Sequence, residues 1–193
     1  MPKNTAQILR ETARLHEELC SHEDEIDAIG RKLAEVLAED GSIYIMGNGG
    51  SAADAQHMAG ELVGRFLMEG RPPLPCVALT TDSSVLTAIV NDYSLDDVFL
   101  KQVQALVREG DAVIGISTSG NSSNILSALQ AAADAGAVTI GLTGKDGGAM
   151  RDLCDLCMVV PHYQTPRIQE AHATIIHIWC GMIENILFGD RKV

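Results

Sequence analysis

Apolar positions in the first part of the chain recur at helical spacing. Ile8, Thr12, Leu15 and Leu19 fall at heptad-like intervals, and Ile26, Ile29, Leu33, Val36 and Leu37 form one stripe. Two helices are expected, with Ser21 and Asp24 reading as a capping box that opens the second. They read as a helical hairpin lying outside a sheet core, packed on its own domain or paired with another subunit. After Gly41 the pattern changes. Short β-rich runs at Ser42–Met46, Cys76–Leu79, Ala112–Ile116, Val138–Leu142 and Leu156–Val160 alternate with helical segments near Ser51–Phe66, Ser84–Val90, Asp96–Arg108 and Asn124–Ala135. Apolar strands alternating with helices predict an α/β fold with a mostly parallel sheet covered on both faces. A last helix is expected over Arg167–Leu187. Its apolar positions, among them Ile168, Ile175, Ile178, Trp179, Met182, Ile183 and Ile186, nearly encircle it, which predicts burial on every side and a subunit interface. The 193 residues suit one domain, with residues 1–40 for oligomerisation and residues 41–193 as the ligand-binding core.

Ligands in open parallel sheets sit at the carboxyl ends of the strands. Three strands here run into Gly- or Ser-rich loops: Gly47-Asn48-Gly49-Gly50-Ser51, Ser117-Thr118-Ser119-Gly120-Asn121-Ser122, and Thr143-Gly144-Lys145-Asp146-Gly147-Gly148. The middle loop is the strongest local signal. It stands between a strand and a helix whose N-terminal N–H groups and dipole favour an anion. Four hydroxyls, from Ser117, Thr118, Ser119 and Ser122, crowd that helix start, where capping needs one. A phosphate cradle is expected.

Charge sharpens this reading. The net charge of −12 disfavours nucleic acid and anionic membrane as partners. It also repels a phosphate ester, so neutral local donors must bind one, and the cradle carries no charged side chain. No uninterrupted apolar run approaches the ~20 residues of a bilayer span. The start, Met1-Pro2-Lys3-Asn4, lacks a secretory pattern, so the cytoplasm is the expected compartment. The odd set Cys20, Cys76, Cys154, Cys157 and Cys180 argues against a disulfide framework, and Cys154-x-x-Cys157 reads as buried structural thiols.

The first loop also fits G-x-G-x-x-A through Gly47, Gly49 and Ala52, a dinucleotide fingerprint. Its acidic partner is misplaced: Glu69 precedes the second strand and Asp82 lies too far along. No nucleotide cofactor is expected. His57 and Glu61, four apart, share a helix face, with Arg65 one turn on. On the last helix Gln169, His172 and His177 are the polar exceptions, which core hydrogen bonding could explain. A Glu and a His beside a bound sugar phosphate suggest aldose–ketose isomerisation, the Glu moving the carbon-bound proton and the His serving the oxygens. A metal on His57, Glu61 and His177 is the second possibility.

Gly47-Asn48-Gly49-Gly50-Ser51, His57-Met58-Ala59-Gly60-Glu61-Leu62-Val63-Gly64-Arg65, Asn91-Asp92, the Ser117–Ser122 loop and Arg167-Ile168-Gln169-Glu170-Ala171-His172 resemble, in order, the bacterial phosphoheptose isomerases. The resemblance implies the sugar isomerase (SIS) fold, a three-layer structure around a five-stranded parallel sheet, and a homotetramer with sites between subunits. It implies conversion of sedoheptulose 7-phosphate to D-glycero-D-manno-heptose 7-phosphate for surface heptose biosynthesis. Glu61 would be the base and His177 the acid. Zinc would sit on His57, Glu61, Gln169 and His177. Substrate contacts would come from Asn48, Gly49, Gly50, Ser51, Arg65, Asn91, Asp92, Ser117, Thr118, Ser119, Ser122 and Gln169. Pro166 stands where some relatives carry an Asp. The chain also resembles the DnaA initiator-associating protein, a non-catalytic SIS adaptor, at Thr80-Thr81-Asp82 and Val85–Asp92, but that branch lacks the Glu and His pair.

Overall fold

In a computed structural model of the chain, which describes residues 4–189, all five apolar runs are strands: β1 (Ile43–Gly47), β2 (Cys76–Ala78), β3 (Ala112–Ser117), β4 (Val138–Gly144) and β5 (Leu156–Val160). They form one sheet, parallel throughout, in the order β2-β1-β3-β4-β5. Central β3 is buried at every position, which is why its sequence reads as an unbroken apolar run rather than an alternating one. The winding reverses between β1 and β3, so the crevice beyond their carboxyl ends is the natural ligand position.

Helices α1 (Thr5–Leu19), α2 (Glu23–Ala38), α3 (Gly50–Val63) and α8 (Thr165–Phe188) cover one face. Leu33, Met58, Ile175 and Trp179 are fully buried there, and the Trp179 indole donates to the Ile26 carbonyl at 3.0 Å. The other face carries α5 (Leu100–Leu106), α6 (Ser123–Asp134) and the short α7 (Met150–Leu153), with Val103, Ile125, Leu129 and Met150 in its core. Helix α4 (Ser83–Asp92) follows the edge strand β2 and buries no residue.

Three expectations need correction. The Ser21–Asp24 capping box is absent: Ser21 Oγ donates to the Glu18 carbonyl, and α2 opens after His22 with no side-chain cap. The first two helices are not a hairpin. They follow one another through a 3-10 turn at Cys20–His22 and each packs on α8, so α2 belongs to the layer covering the sheet. The helix drawn over Asp96–Arg108 is broken into a 3-10 turn at Leu95–Asp97 and the shorter α5. Within the single chain the last helix is covered on only part of its surface, with Ile178 40% and Ile186 53% exposed on the side where a subunit interface is expected. On length and overall apolarity α8 could cross a membrane, although no uninterrupted apolar run is that long, but half of it is buried against this fold. The first residues weighed against a secretory signal, 1–3, lie outside the described residues.

Candidate functional site

The loops after β1 and β3 meet at the switch point. Gly49, at φ 57°, makes the left-handed turn that releases β1 into α3, and the Ser51 N–H donates to the Asn48 carbonyl at 3.1 Å. Ser51 is buried there. The two loops are joined by a reciprocal amide pair: Asn48 Nδ2 donates to Asn124 Oδ1 at 2.9 Å, and Asn124 Nδ2 returns to Asn48 Oδ1 at 3.0 Å. Asn124 is buried in the first turn of α6.

In the Ser/Thr loop, Ser117 Oγ lies 3.0 Å from Ser122 Oγ and 3.4 Å from Ser119 Oγ. Ser122 is the N-cap residue of α6 but makes no capping bond. The first-turn N–H groups of α6 are therefore not occupied by their own cap, which is what an anion site at a helix start requires. Thr118 is half-buried beside these hydroxyls. Gly120, at φ 65°, could not be another residue, because a Cβ there would come within 1.9 Å of the Gly147 carbonyl oxygen. That approach shows the role of the third loop. It braces the cradle from behind, with the Met150 N–H donating to the Gly120 carbonyl at 3.0 Å and the Ala149 N–H to Asn121 Oδ1 at 2.9 Å.

A cavity of about 520 Å³ opens beside Asn48 and Gly49, walled by Ala52, Thr80 and the α4 residues Leu86, Thr87, Val90 and Asn91. Asn91 donates to its neighbour Asp92 at 2.8 Å, and both are exposed at the end of α4.

Helices α3 and α8 run side by side in the same direction, and facing residues pair along them. Gly50 lies against Gln169: a Cβ on Gly50 would come 2.5 Å from Gln169 Nε2. Further along, His57 Nε2 and His177 Nε2 are 2.7 Å apart, and Glu61 Oε1 is 3.7 Å from His57 Nε2. One ligand atom from each of these three residues lies within 4.8 Å of the others. The Phe66 ring stacks on His177 at 5.4 Å and 22°. Two imidazole nitrogens and a carboxylate oxygen converging from two rigid helices fit a divalent ion of the zinc type. Gln169 does not join them within the chain. It precedes His177 by eight residues of one unbroken helix, about 12 Å along the axis. Arg65 is also apart, exposed and 3.6 Å from Glu69.

His172 belongs to the core. Its Nε2–H donates to the Thr143 carbonyl at 2.9 Å, while Nδ1 is buried with no partner. Burial pushes its pKa down to about 4, and the Thr143 bond only partly restores it. Cys154 and Cys157 flank Gly141, and burial pushes the Cys154 thiol up to about 12, the wrong direction for a thiolate ligand or nucleophile. Asp82, weighed as a ribose-binding acid, caps α4 by accepting the Val85 N–H at 3.0 Å. Three residues at the site escaped the sequence reading. Asp54 shares the α3 face of Gly50, His57 and Glu61, and one of its oxygens is buried without a partner. Burial pushes its carboxyl up, against a weaker opposing pull from His57. Arg71 and Glu184 form a buried pair beneath Glu61, with Arg71 Nε donating to Glu184 Oε1 at 2.7 Å. Helical spacing from Gly50 and from His177 (i+4 and i+7) could have flagged Asp54 and Glu184; nothing local marks Arg71.

Residues 7–144 match the SIS domain family. The phosphoheptose isomerase of Pelobacter propionicus is 58% identical over 158 residues, 82% of this chain and 83% of that protein. That of Geobacter sulfurreducens is 58% identical over 163 residues, 84% and 86% of the two chains. The solved phosphoheptose isomerase of Neisseria gonorrhoeae superposes with a TM-score of 0.88 at 44% identity, covering 93% of this chain and 96% of its own. That of Francisella tularensis gives 0.90 at 36% identity over the same shares. The chain belongs to the SIS-domain family and, within it, to the phosphoheptose isomerases.

Proposed function

We propose that the chain interconverts sedoheptulose 7-phosphate and D-glycero-D-manno-heptose 7-phosphate by proton transfer, for surface heptose biosynthesis. The observation that carries this reading is the convergence of Glu61 and His177 on one side of α3 and α8, with a neutral hydroxyl cradle at the switch point where α3 begins. The phosphate is held by the Ser117, Ser119 and Ser122 hydroxyls and the first N–H groups of α6. This needs no cation, so it works in a chain of net charge −12. Asn48, Gly49, Gly50 and Gln169 of one chain border the carbon chain, with Asn91 and Asp92 on its other side. Glu61 and His177 come from a neighbouring chain, because Gln169 and His177 of one helix stand about 12 Å apart.

In the forward direction Glu61 removes a proton from C1 of the ketose while the C2 oxygen gains one from His177, giving a 1,2-enediol. Glu61 then returns its proton to C2 and His177 accepts the proton of the C1 hydroxyl, leaving the aldehyde. Both groups end as they began, and the reaction needs no redox partner. His57, Glu61 and His177 would hold a zinc ion, which when bound would polarise the substrate carbonyl as a Lewis acid. Glu61 and His177 then exchange protons through the carboxylate oxygen and the ring nitrogen not on the metal. We place the reaction in the cytoplasm and the chain in a homotetramer. The exposed apolar residues Ile178 and Ile186 and the unburied helix α4 support association.

The test is incubation of the purified chain with sedoheptulose 7-phosphate alone and detection of an aldose product. Glu61→Gln and His177→Gln should each abolish turnover while leaving the folded assembly intact. Full activity in either variant would refute its assigned role.

A further inference from the structure

A buried ion pair is poor evidence for stability, because desolvation takes back most of what the attraction gives. The Arg71–Glu184 pair is buried on both sides, its side chains 0% and 3% exposed. Its remaining bonds point to a different use. Arg71 Nη2 donates to the carbonyl of Glu61 at 2.6 Å, and Nη1 to those of Leu62 at 2.8 Å and Pro72 at 2.9 Å. Glu184 Oε1 accepts the Phe66 N–H at 2.9 Å, and Oε2 accepts those of Leu67 at 2.9 Å and Met68 at 2.8 Å. The pair thus fixes the last turn of α3, which carries Glu61, and the following turn, which carries Phe66. The Phe66 ring stacks on His177, and His177 lies two helical turns before Glu184 on α8. Both proton-transfer groups are therefore tied to one buried ion pair, Glu61 through its own carbonyl and His177 through the face of Phe66.

We propose that Arg71 and Glu184 are positioning residues that set the geometry between Glu61 and His177. The proposal rests on the reading of those two residues given above. The cradle lies on other elements, β3 and α6, so loosening the pair should disturb the reacting end and spare the phosphate end.

The experiment compares the full-length chain with Arg71→Lys, Glu184→Gln and Phe66→Leu. Arg71→Lys keeps the charge but cannot serve the Glu61 and Leu62 carbonyls and Glu184 together. Phe66→Leu leaves the ion pair and the backbone bonds in place, keeps an apolar side chain against the core and removes the stacking on His177. Zinc affinity is measured by competition with a chromophoric chelator. Turnover and KM are measured per folded chain, with the folded fraction taken from thermal melts. Arg71→Lys and Glu184→Gln should weaken zinc binding about 10- to 100-fold, the range seen when residues supporting metal ligands are removed. Their kcat should fall while KM stays within about twofold of wild type. Phe66→Leu should move both readouts in the same direction by less. Variants that melt earlier but match wild type in zinc affinity and kcat would reduce the pair to a structural role and overturn the proposal. If Glu184→Gln does not fold, Arg71→Lys and Phe66→Leu decide the matter. A wild-type chain that neither binds zinc nor isomerises would overturn the reading of the site itself. A wild type that does either, with variants that match it, overturns the positioning role alone.

Discussion

His57 Nε2 and His177 Nε2 face each other at 2.7 Å, from two helices that run in the same direction. At that distance two ring nitrogens either share one proton or turn both lone pairs towards a cation. The Glu61 carboxylate, 3.7 Å from His57 Nε2, adds the negative charge that favours the cation. The purified chain should therefore retain zinc near one ion per chain, and exhaustive chelation should lower turnover at least tenfold, with recovery on zinc return. His57→Gln should reduce the metal retained without lowering the melting temperature by more than a few degrees. Metal analysis and melting curves decide it. Unchanged turnover in metal-free protein would leave Glu61 and His177 working by acid–base chemistry alone.

Asn48 and Asn124 exchange two hydrogen bonds across the switch point. Each such bond is worth about 1 kcal/mol net. Asn124→Ala, which removes both, should therefore raise KM by up to roughly thirtyfold, by letting the first loop drift from the cradle. Asn124→Asp should raise it further, since the added carboxylate faces the phosphate. Circular dichroism should show both variants folded. An unchanged KM in Asn124→Asp would mean that the substrate does not reach this bridge.

The strands were legible because central parallel strands are unbroken apolar runs, as in Ala112–Ser117, but their order in the sheet was not. The clustering of hydroxyls at the start of α6 was legible because four of them at one helix start exceed what capping needs. The pairings across α3 and α8 were not. His57 meets His177, and Gly50 meets Gln169, only because two helices 120 residues apart pack in one register. Arg71 was invisible for a different reason: its partners are backbone carbonyls and one distant carboxylate, and none of these leaves a local pattern. Ser21 misled because a capping-box spacing is a local signal, and the chain there continues through a 3-10 turn that needs no cap.

His172 predicts an acid limb in stability. Its folded pKa, about 4, lies below the ordinary 6.5, so the unfolded chain binds the extra proton first. The neutral ring's contribution is complete above pH 6.5 and is lost as pH falls towards 4, about 3 kcal/mol in all. Glu184 acts in the same direction lower down. Burial pushes its carboxyl up, but Arg71 and three backbone N–H groups outweigh this and hold it below 4.5. Denaturant unfolding of the chain between pH 7 and 4.5 should show the slope. His172→Gln, which can still donate to the Thr143 carbonyl, should flatten it. An equally steep slope in that variant would place the titration elsewhere.

Gly50→Ala should separate stability from function. Gly50 opens α3 with a backbone that L residues accept, so alanine should stabilise the helix by up to about 1 kcal/mol. The new methyl group would lie 2.5 Å from Gln169 Nε2 and 2.9 Å from Oε1. Those atoms end a flexible side chain, so the carboxamide would swing away and the fold would not suffer. If Gln169 contacts the substrate, as its place beside the first loop suggests, KM should rise about tenfold while the melting temperature holds or increases. Gln169→Ala should reproduce the KM without the gain in stability. A stabilised Gly50→Ala with wild-type KM would show that displacing Gln169 costs the substrate nothing, and would remove Gln169 from the binding site.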